Sequence, residues 1–169
     1  MNASTIQNIK SFLRVNLYIK LALNKLIHII MRETPSPGMR RFILNFLGAE
    51  VHETAIISYG FLLFDASIAS NLIIKKNVSI GPRVTIVTHA DPTPSELVNL
   101  YPIIDKPVII EENVWIGANV TIIPGVKVGK YSVIAAGSVV IRDVPPYSVV
   151  AGVPARVVKT ISFDGNYSL

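Results

Sequence analysis

An aliphatic residue recurs every six positions through most of this 169-residue chain. Ile56, Leu62, Ile68, Ile74, Ile80 and Ile86 form one block, and Ile110, Ile116, Ile122, Val128, Ile134 and Val140 form another. The interval from Ile86 to Ile110 is 24 residues, itself a multiple of six. A helical face repeats every 3.6 residues or so, and Gly and Pro within 114–140 would break a helix. Three residues beyond each repeat aliphatic stand Tyr59, Asp65, Asn71, Asn77, Arg83, His89, Asn113, Asn119, Gly125, Tyr131, Gly137 and Asp143, and eight of these twelve are Asn, Asp or Gly. Those residues accept left-handed backbone angles at low cost. Each hexad therefore reads as a short strand with one inward side chain, then a corner. Three hexads close a triangular coil, and twelve make about four coils at the roughly 4.8 Å spacing of paired strands. The expected class is all-β, a parallel β-helix with an aliphatic stack inside a prism. The gap between blocks accommodates an inserted loop, THADPTPSELVNLYPIIDKP at 88–107, which holds four of the eleven prolines.

The first fifty residues read differently. Residues 5–32 contain no Gly or Pro, and Ile6, Ile9, Leu13, Leu17, Leu21 and Leu26 could share a helical face. TPSPG at 34–38 is a break, and 39–50 reads as one more short helical stretch. The expected organisation is an N-terminal helical segment at 1–50, a β-helix domain at 51–159 and a tail at 160–169. Residues 1–41 carry seven Lys or Arg against one acid, a net of +6, whereas 42–169 is close to neutral at −1. The N-terminal segment can cap the open end of the prism, lie on an anionic membrane surface, or do both. Its cations are few and separated, with no aromatic platform, which argues against nucleic acid as a partner. The absence of Cys excludes disulfides, thiolate metal sites and a Cys nucleophile. No run of 18 apolar residues and no signal-peptide pattern occurs, so the expected location is the cytoplasm, at the inner face of the membrane if the helix binds lipid.

The stretch 113–159, NVWIGANVTIIPGVKVGKYSVIAAGSVVIRDVPPYSVVAGVPARVVK, joins VWIG, PGV, AGSVV, DVPP and AGVPAR in one order. In this combination the chain resembles the hexapeptide-repeat acyltransferases over about residues 51–159. The likeness is to the sugar and xenobiotic O-acetyltransferases, including galactoside, maltose and nodulation-factor enzymes. The first fifty residues are more similar to the variable N-termini of surface-polysaccharide acetyltransferases. The resemblance implies a left-handed β-helix, acetyl-CoA as co-substrate and homotrimers with active sites between subunits. Val84, Val114, Val120 and Val126, two before repeat positions, are expected on the apolar outer faces that pack together in such an assembly.

Acetyl transfer from a thioester to a hydroxyl needs a base, a donor to the developing oxyanion and a site that aligns both substrates. Of the three histidines, His28 lies in the basic segment and His52 at the start of the repeats. His89 stands three after Ile86, where the loop begins. It is expected to project outward, and the resemblance puts the catalytic histidine at this place. Asp91 and Glu96 are near enough in sequence to orient an imidazole. The resemblance also implies donor-site roles. Trp115 would line the groove near the thioester, and Gly117, Ala118 and Ala136 would allow close backbone approach. Ile141 and Arg142 would meet the pantetheine and phosphate regions, with Arg156 and Lys159 on the nucleotide phosphates. Phe61 stands where the family often has a polar acceptor-site residue, with Asp65 nearby. The expected activity is O-acetylation of a sugar or polysaccharide precursor. A serine-type or xenobiotic acetyltransferase and a catalytically silent scaffold stay open. A three-histidine zinc site is set aside, because the repeats offer only His52 and His89, and no metal is expected.

Overall fold

Residues 26–27, 29–64 and 66–162 are described by a computed structural model, with the backbone alone at 64 and 66–68. Most of the helical segment expected at 5–32 lies outside the described residues; its end is helical at 26–27 and 29–33. The stretch expected as helical at 39–50 is the ten-residue helix α1 (Pro37–Phe46). Ser36 caps it by accepting from Met39 N at 3.3 Å, and Pro37 sits at a first-turn position where no N–H is required. TPSPG is thus both a break and a helix start. Gly48, at φ +102°, ends the helix: Gly48 N donates to Asn45 O and Ala49 N to Leu44 O.

The chain then winds as a left-handed parallel β-helix. β1 (Glu50–Val51), β2 (Ile56–Ile57) and β3 (Leu62–Phe64) make the first circuit. β4 (Leu72–Ile74), β5 (Ser79–Ile80) and β6 (Thr85–Val87) make the second. A hairpin of β7 (His89–Ala90) and β8 (Ile104–Asp105) forms the stem of the inserted loop. β9 (Val108–Ile110), β10 (Trp115–Ile116) and β11 (Thr121–Ile122) make the third circuit, and β12 (Lys127–Val128), β13 (Val133–Ile134) and β14 (Val139–Val140) the fourth. Parallel pairing stacks them into sheet A (β1, β4, β9, β12), sheet B (β2, β5, β10, β13) and sheet C (β3, β6, β11, β14). Sheet B continues through β15 (Ser148–Gly152) into antiparallel β16 (Ala155–Thr160), so the last stretch of the expected β-helix domain covers that edge.

From Ile74 onward every repeat aliphatic is buried, but the first circuit is displaced by one residue. Ile57, not Ile56, pairs with Ile80, and Leu63, not Leu62, pairs with Ile86. Ile56 is 55% exposed and Ile57 fully buried; the side chain of Ile68 is outside the described residues. A 3-10 turn at Ala66–Asn71 makes the step from Leu63 to Ile74 eleven residues, one short of two hexads. The aliphatic doublets Ile56–Ile57 and Leu62–Leu63 fit either phase, so the aliphatics alone do not decide it. The corners do, since the positive φ of +72° falls on Gly60, three after Ile57.

The four valines expected on outer faces are buried. Each side of a circuit turns two residues inward, the repeat aliphatic and the residue two before it. A side chain just past a left-handed corner points into the prism. Asn77, Arg83, Asn113, Asn119 and Tyr131 hold that corner conformation at φ 57°, beside Gly125 and Gly137. The corners ladder: Asn77 Nδ2 donates to Asn113 Oδ1 at 3.2 Å and Arg83 Nε to Asn119 Oδ1 at 3.0 Å, while the Tyr131 and Tyr147 rings stack at 5.3 Å.

The N-terminal end is sealed by Met31, Ile43 and Leu44, which join the same apolar core. Buried Arg40 ties helix to circuit by donating from Nε to Ile57 O at 2.7 Å and from Nη1 to Thr34 O. Its burial pushes the guanidinium pKa down from the ordinary value. The register can be checked by thermal or denaturant unfolding. Ile57→Ala should cost about 2–5 kcal/mol, as for a filled core site. Ile56→Ala should stay within about 0.5 kcal/mol of the parent. The reverse order would contradict the register.

Candidate functional site

At most corners the chain turns left-handed and starts the next side. At the sheet C–sheet A corner of the second circuit it does not. His89 has no positive φ; it continues extended as β7 and carries the chain out into the loop. His89 is half-buried, and its Nδ1 is shielded from solvent without a hydrogen-bond partner. The neighbouring Thr88 is wholly buried, and its Oγ1 is likewise unpartnered. The Thr88 carbonyl accepts from Lys106 N at 3.2 Å, which closes the loop stem.

Asp91 is exposed, and its Oδ1 accepts from Thr93 N at 2.8 Å and from Thr93 Oγ1. Those bonds, with a smaller contribution from the His89 imidazole, hold its carboxyl below the ordinary carboxylate range. Glu96 opens an exposed 3-10 turn (Glu96–Asn99) capped by Ser95. Phe61 is fully buried in the core, so it cannot line an acceptor site; the place a polar residue was expected to take is filled by packing. Asp65 lies outside the described residues.

The donor-site candidates fall into two groups. Strand register puts Trp115, Val133, Val149 and Lys159 in one row across sheet B. Trp115 is 60% exposed at one end of that row, and Lys159 is exposed at the other. The next outward row is Gly117, Ala135, Ala151 and Arg156, a track of small side chains ending in an exposed guanidinium. Gly117 has a structural reason to be glycine, since a Cβ there would lie 2.6 Å from Ala136 N of the next circuit. Ala118 O accepts from Gly137 N at 2.8 Å, and Ala136 is exposed beside it. Ile141 and Arg142 are exposed two circuits from His89, on the sheet C–sheet A corner that it shares, away from sheet B. In a three-sided prism that corner lies opposite sheet B. A single chain therefore separates His89 from the Trp115–Arg156 face.

Two surface clefts, of about 440 and 330 Å3, lie elsewhere. One is lined by Glu50, His52 and Lys75 among others, the second by Glu111, Lys127 and Asp143 among others, and neither includes His89 or Trp115. His52 is exposed, with Nδ1 against Thr54 Oγ1 at 3.0 Å. Asp105, not singled out from the sequence, stands opposite His89 in the loop stem. Its signal was indirect: THAD and IIDKP are the two ends of one insertion between repeat blocks, so they must meet where the insertion begins and ends.

Residues 107–142 match the family described as bacterial transferase hexapeptide (six repeats). A galactoside O-acetyltransferase of Lactococcus lactis subsp. lactis (strain IL1403) is 40% identical over 123 residues, 72% of this chain and 58% of its own. The galactoside O-acetyltransferase of Escherichia coli (strain K12) is 46% identical over 86 residues, 51% of this chain and 42% of its own. The chain spans about half the length of the curated relatives it matches. Among solved structures, a hexapeptide-repeat acetyltransferase from Vibrio cholerae O1 biovar eltor, complexed with acetyl coenzyme A, aligns with a TM-score of 0.64 at 28% identity, over 82% of this chain and 85% of that one. A galactoside acetyltransferase in complex with coenzyme A aligns with a TM-score of 0.61 at 31% identity, over 86% and 82%. With this repeat, this register and these relatives, the chain belongs to the hexapeptide-repeat acyltransferases.

Proposed function

We propose that the protein transfers an acetyl group from acetyl-CoA to a hydroxyl of a sugar or polysaccharide precursor, with His89 as the general base. The observation that carries this reading is the half-buried imidazole at the one second-circuit corner where the chain leaves the prism, its Nδ1 unpartnered. A half-buried neutral imidazole can take the hydroxyl proton as the oxygen attacks, and can return it to the leaving thiolate. The bound thioester supplies the acyl group. The outer face of sheet B fits such a donor. Its small-residue track admits an extended arm, Trp115 offers an exposed ring beside it, and Arg156 and Lys159 place two cations at one end for phosphates. Arg142 is a third exposed cation, on the other corner.

Because His89 and this face lie on opposite parts of one prism, the reading includes a homotrimer in which each site takes His89 from one copy and the sheet B face from its neighbour. An oxygen acceptor is favoured over nitrogen by extent of likeness. The galactoside O-acetyltransferase match covers 72% of this chain. A 2,3,4,5-tetrahydropyridine-2,6-dicarboxylate N-acetyltransferase of Brevibacillus brevis, though 62% identical, matches only 56 residues.

Membrane contact by the N-terminal segment is a further part of the reading. α1 turns Phe42 and Phe46, 66% and 74% exposed and 6.5 Å apart, to the outside. Ile29 and Ile30 are exposed in the helical stretch before it, within a segment of net charge +6 over 1–41. An apolar face with cations around it suits an anionic lipid surface. Among the described residues no helix is long and apolar enough to cross a membrane.

Two experiments test this. In acetyl-CoA titration calorimetry and turnover assays, His89→Ala should lower kcat by about 10²–10⁴-fold while leaving donor affinity nearly intact. Arg156→Ala should weaken donor binding by roughly tenfold or more, as for loss of a charged hydrogen bond. Normal turnover by His89→Ala would remove the base assignment. In vesicle sedimentation, the full chain should bind anionic vesicles more tightly than zwitterionic ones, and Phe42→Ser with Phe46→Ser should abolish the difference; equal binding to both vesicle types would leave the segment as a cap alone.

A further inference from the structure

A catalytic imidazole needs its non-reacting nitrogen held, because that hydrogen bond fixes which nitrogen carries the proton and which way the ring faces. In this structure His89 Nδ1 is shielded from solvent and has no hydrogen-bond partner. Such a vacancy is costly for a buried polar atom and points to a partner that engages later. Asp91 Oδ1 takes both Thr93 bonds, and Asp91 lies beyond the end of β7, outside the ladder that fixes the hairpin. Lys106 is turned away, its side chain lying over the corner at Gly125.

Asp105 remains. It is the direct cross-strand partner of His89 in the β7–β8 hairpin. The flanking bond from Lys106 N to Thr88 O, at 3.2 Å, sets the type of pair. When the residues on either side exchange the ladder bonds, the pair between them is the non-hydrogen-bonded kind, with side chains on one face at their closest approach. The carboxylate is also pre-aimed: Asn71, at the end of the 3-10 turn that displaces the first circuit, donates from Nδ2 to Asp105 Oδ1. That leaves Oδ2 available.

We infer that Asp105, steadied by Asn71, is the positioning residue for His89: its carboxylate accepts Nδ1–H once the acceptor and donor are bound, and leaves Nε2 as the base. The bond tightens on loading, as catalytic hydrogen bonds often do. The assignment rests on the reading of His89 as general base. It also gives the five-residue surplus between β3 and β4 a role, since that surplus brings Asn71 beneath the loop stem.

The test is steady-state kinetics with acetyl-CoA and an acceptor sugar on the full chain, alongside ¹⁵N NMR of the His89 ring in the presence of CoA and the acceptor sugar. Asp105→Asn keeps the shape and loses the charge. It should lower kcat by about 10²-fold, the scale of a misaligned catalytic group, with KM for acetyl-CoA within about twofold of the parent. The NMR signal should change from one tautomer to a mixture. Asp105→Glu should recover part of kcat, and Asn71→Ala, which leaves the carboxylate in place but unsteadied, should cost about tenfold. Asn71→Ala and Asp105→Glu decide the matter if Asp105→Asn does not fold. Inactive His89→Ala beside Asp105→Asn of parental kcat and unchanged tautomer would overturn the positioning role alone. Active His89→Ala would overturn the base reading, and this inference with it.

Discussion

Everything in this molecule follows from one backbone constraint: each side of a circuit must bond, N–H to C=O, with the same side of the circuits above and below. That requirement forces the sides to be equal in length, and equal sides force a period of six. A parallel ladder has no local turn to fix its register. Register is held by the inward stack and by the corners. At the corners, Asn, Gly, Arg and Tyr adopt left-handed angles and bond to the corner of the next circuit. Where the corner is crowded by the circuit above, only glycine fits, as Gly117 does against Ala136.

The same constraint makes exceptions informative. Apart from one shortened step, the four residues from Val140 to Val144, the chain departs from equal sides twice. Between β3 and β4 it adds a 3-10 turn, and between β6 and β9 it adds a twenty-residue loop at 88–107. Both departures occur on the sheet C–sheet A corner, in successive circuits. They meet through Asn71 and Asp105, directly opposite His89. Regular circuits have their polar backbone satisfied by neighbours, so they offer little chemistry. The irregular corner leaves Thr88 Oγ1 and His89 Nδ1 unpartnered among the described residues. Local rule-breaking of this kind is where function is expected to sit.

The fold was largely legible because the aliphatic period and the corner period reinforce each other from Ile74 to Val140. The first circuit was misread by one residue because Ile56–Ile57 and Leu62–Leu63 offer an aliphatic in either phase; Gly60 held the answer. The inward valines were misread because one inward residue per side was assumed where the corner geometry delivers two. Among the candidate site residues, His89 is legible from its place at the start of the insertion, and Trp115, Arg156 and Lys159 only through the resemblance. Asp105 could not. Its pairing with His89 depends on how a loop of irregular sequence returns, and two-residue strands leave no periodic trace. Phe61, which stands where the family often has a polar residue, is fully buried in the core.

The central claim is that no single chain holds a complete site, because His89 and the sheet B face lie on opposite parts of the prism. Subunit mixing tests it most directly. His89→Ala and Arg156→Ala chains, each impaired alone, would be co-expressed with different tags, and doubly tagged assemblies assayed for acetyl transfer. If each site draws one residue from each of two neighbours, every mixed trimer has one intact site of three and restores about a third of parental activity. Activity that stays at the level of the two separate variants, in assemblies shown to be mixed, would contradict the account and place both residues in a site built by one chain.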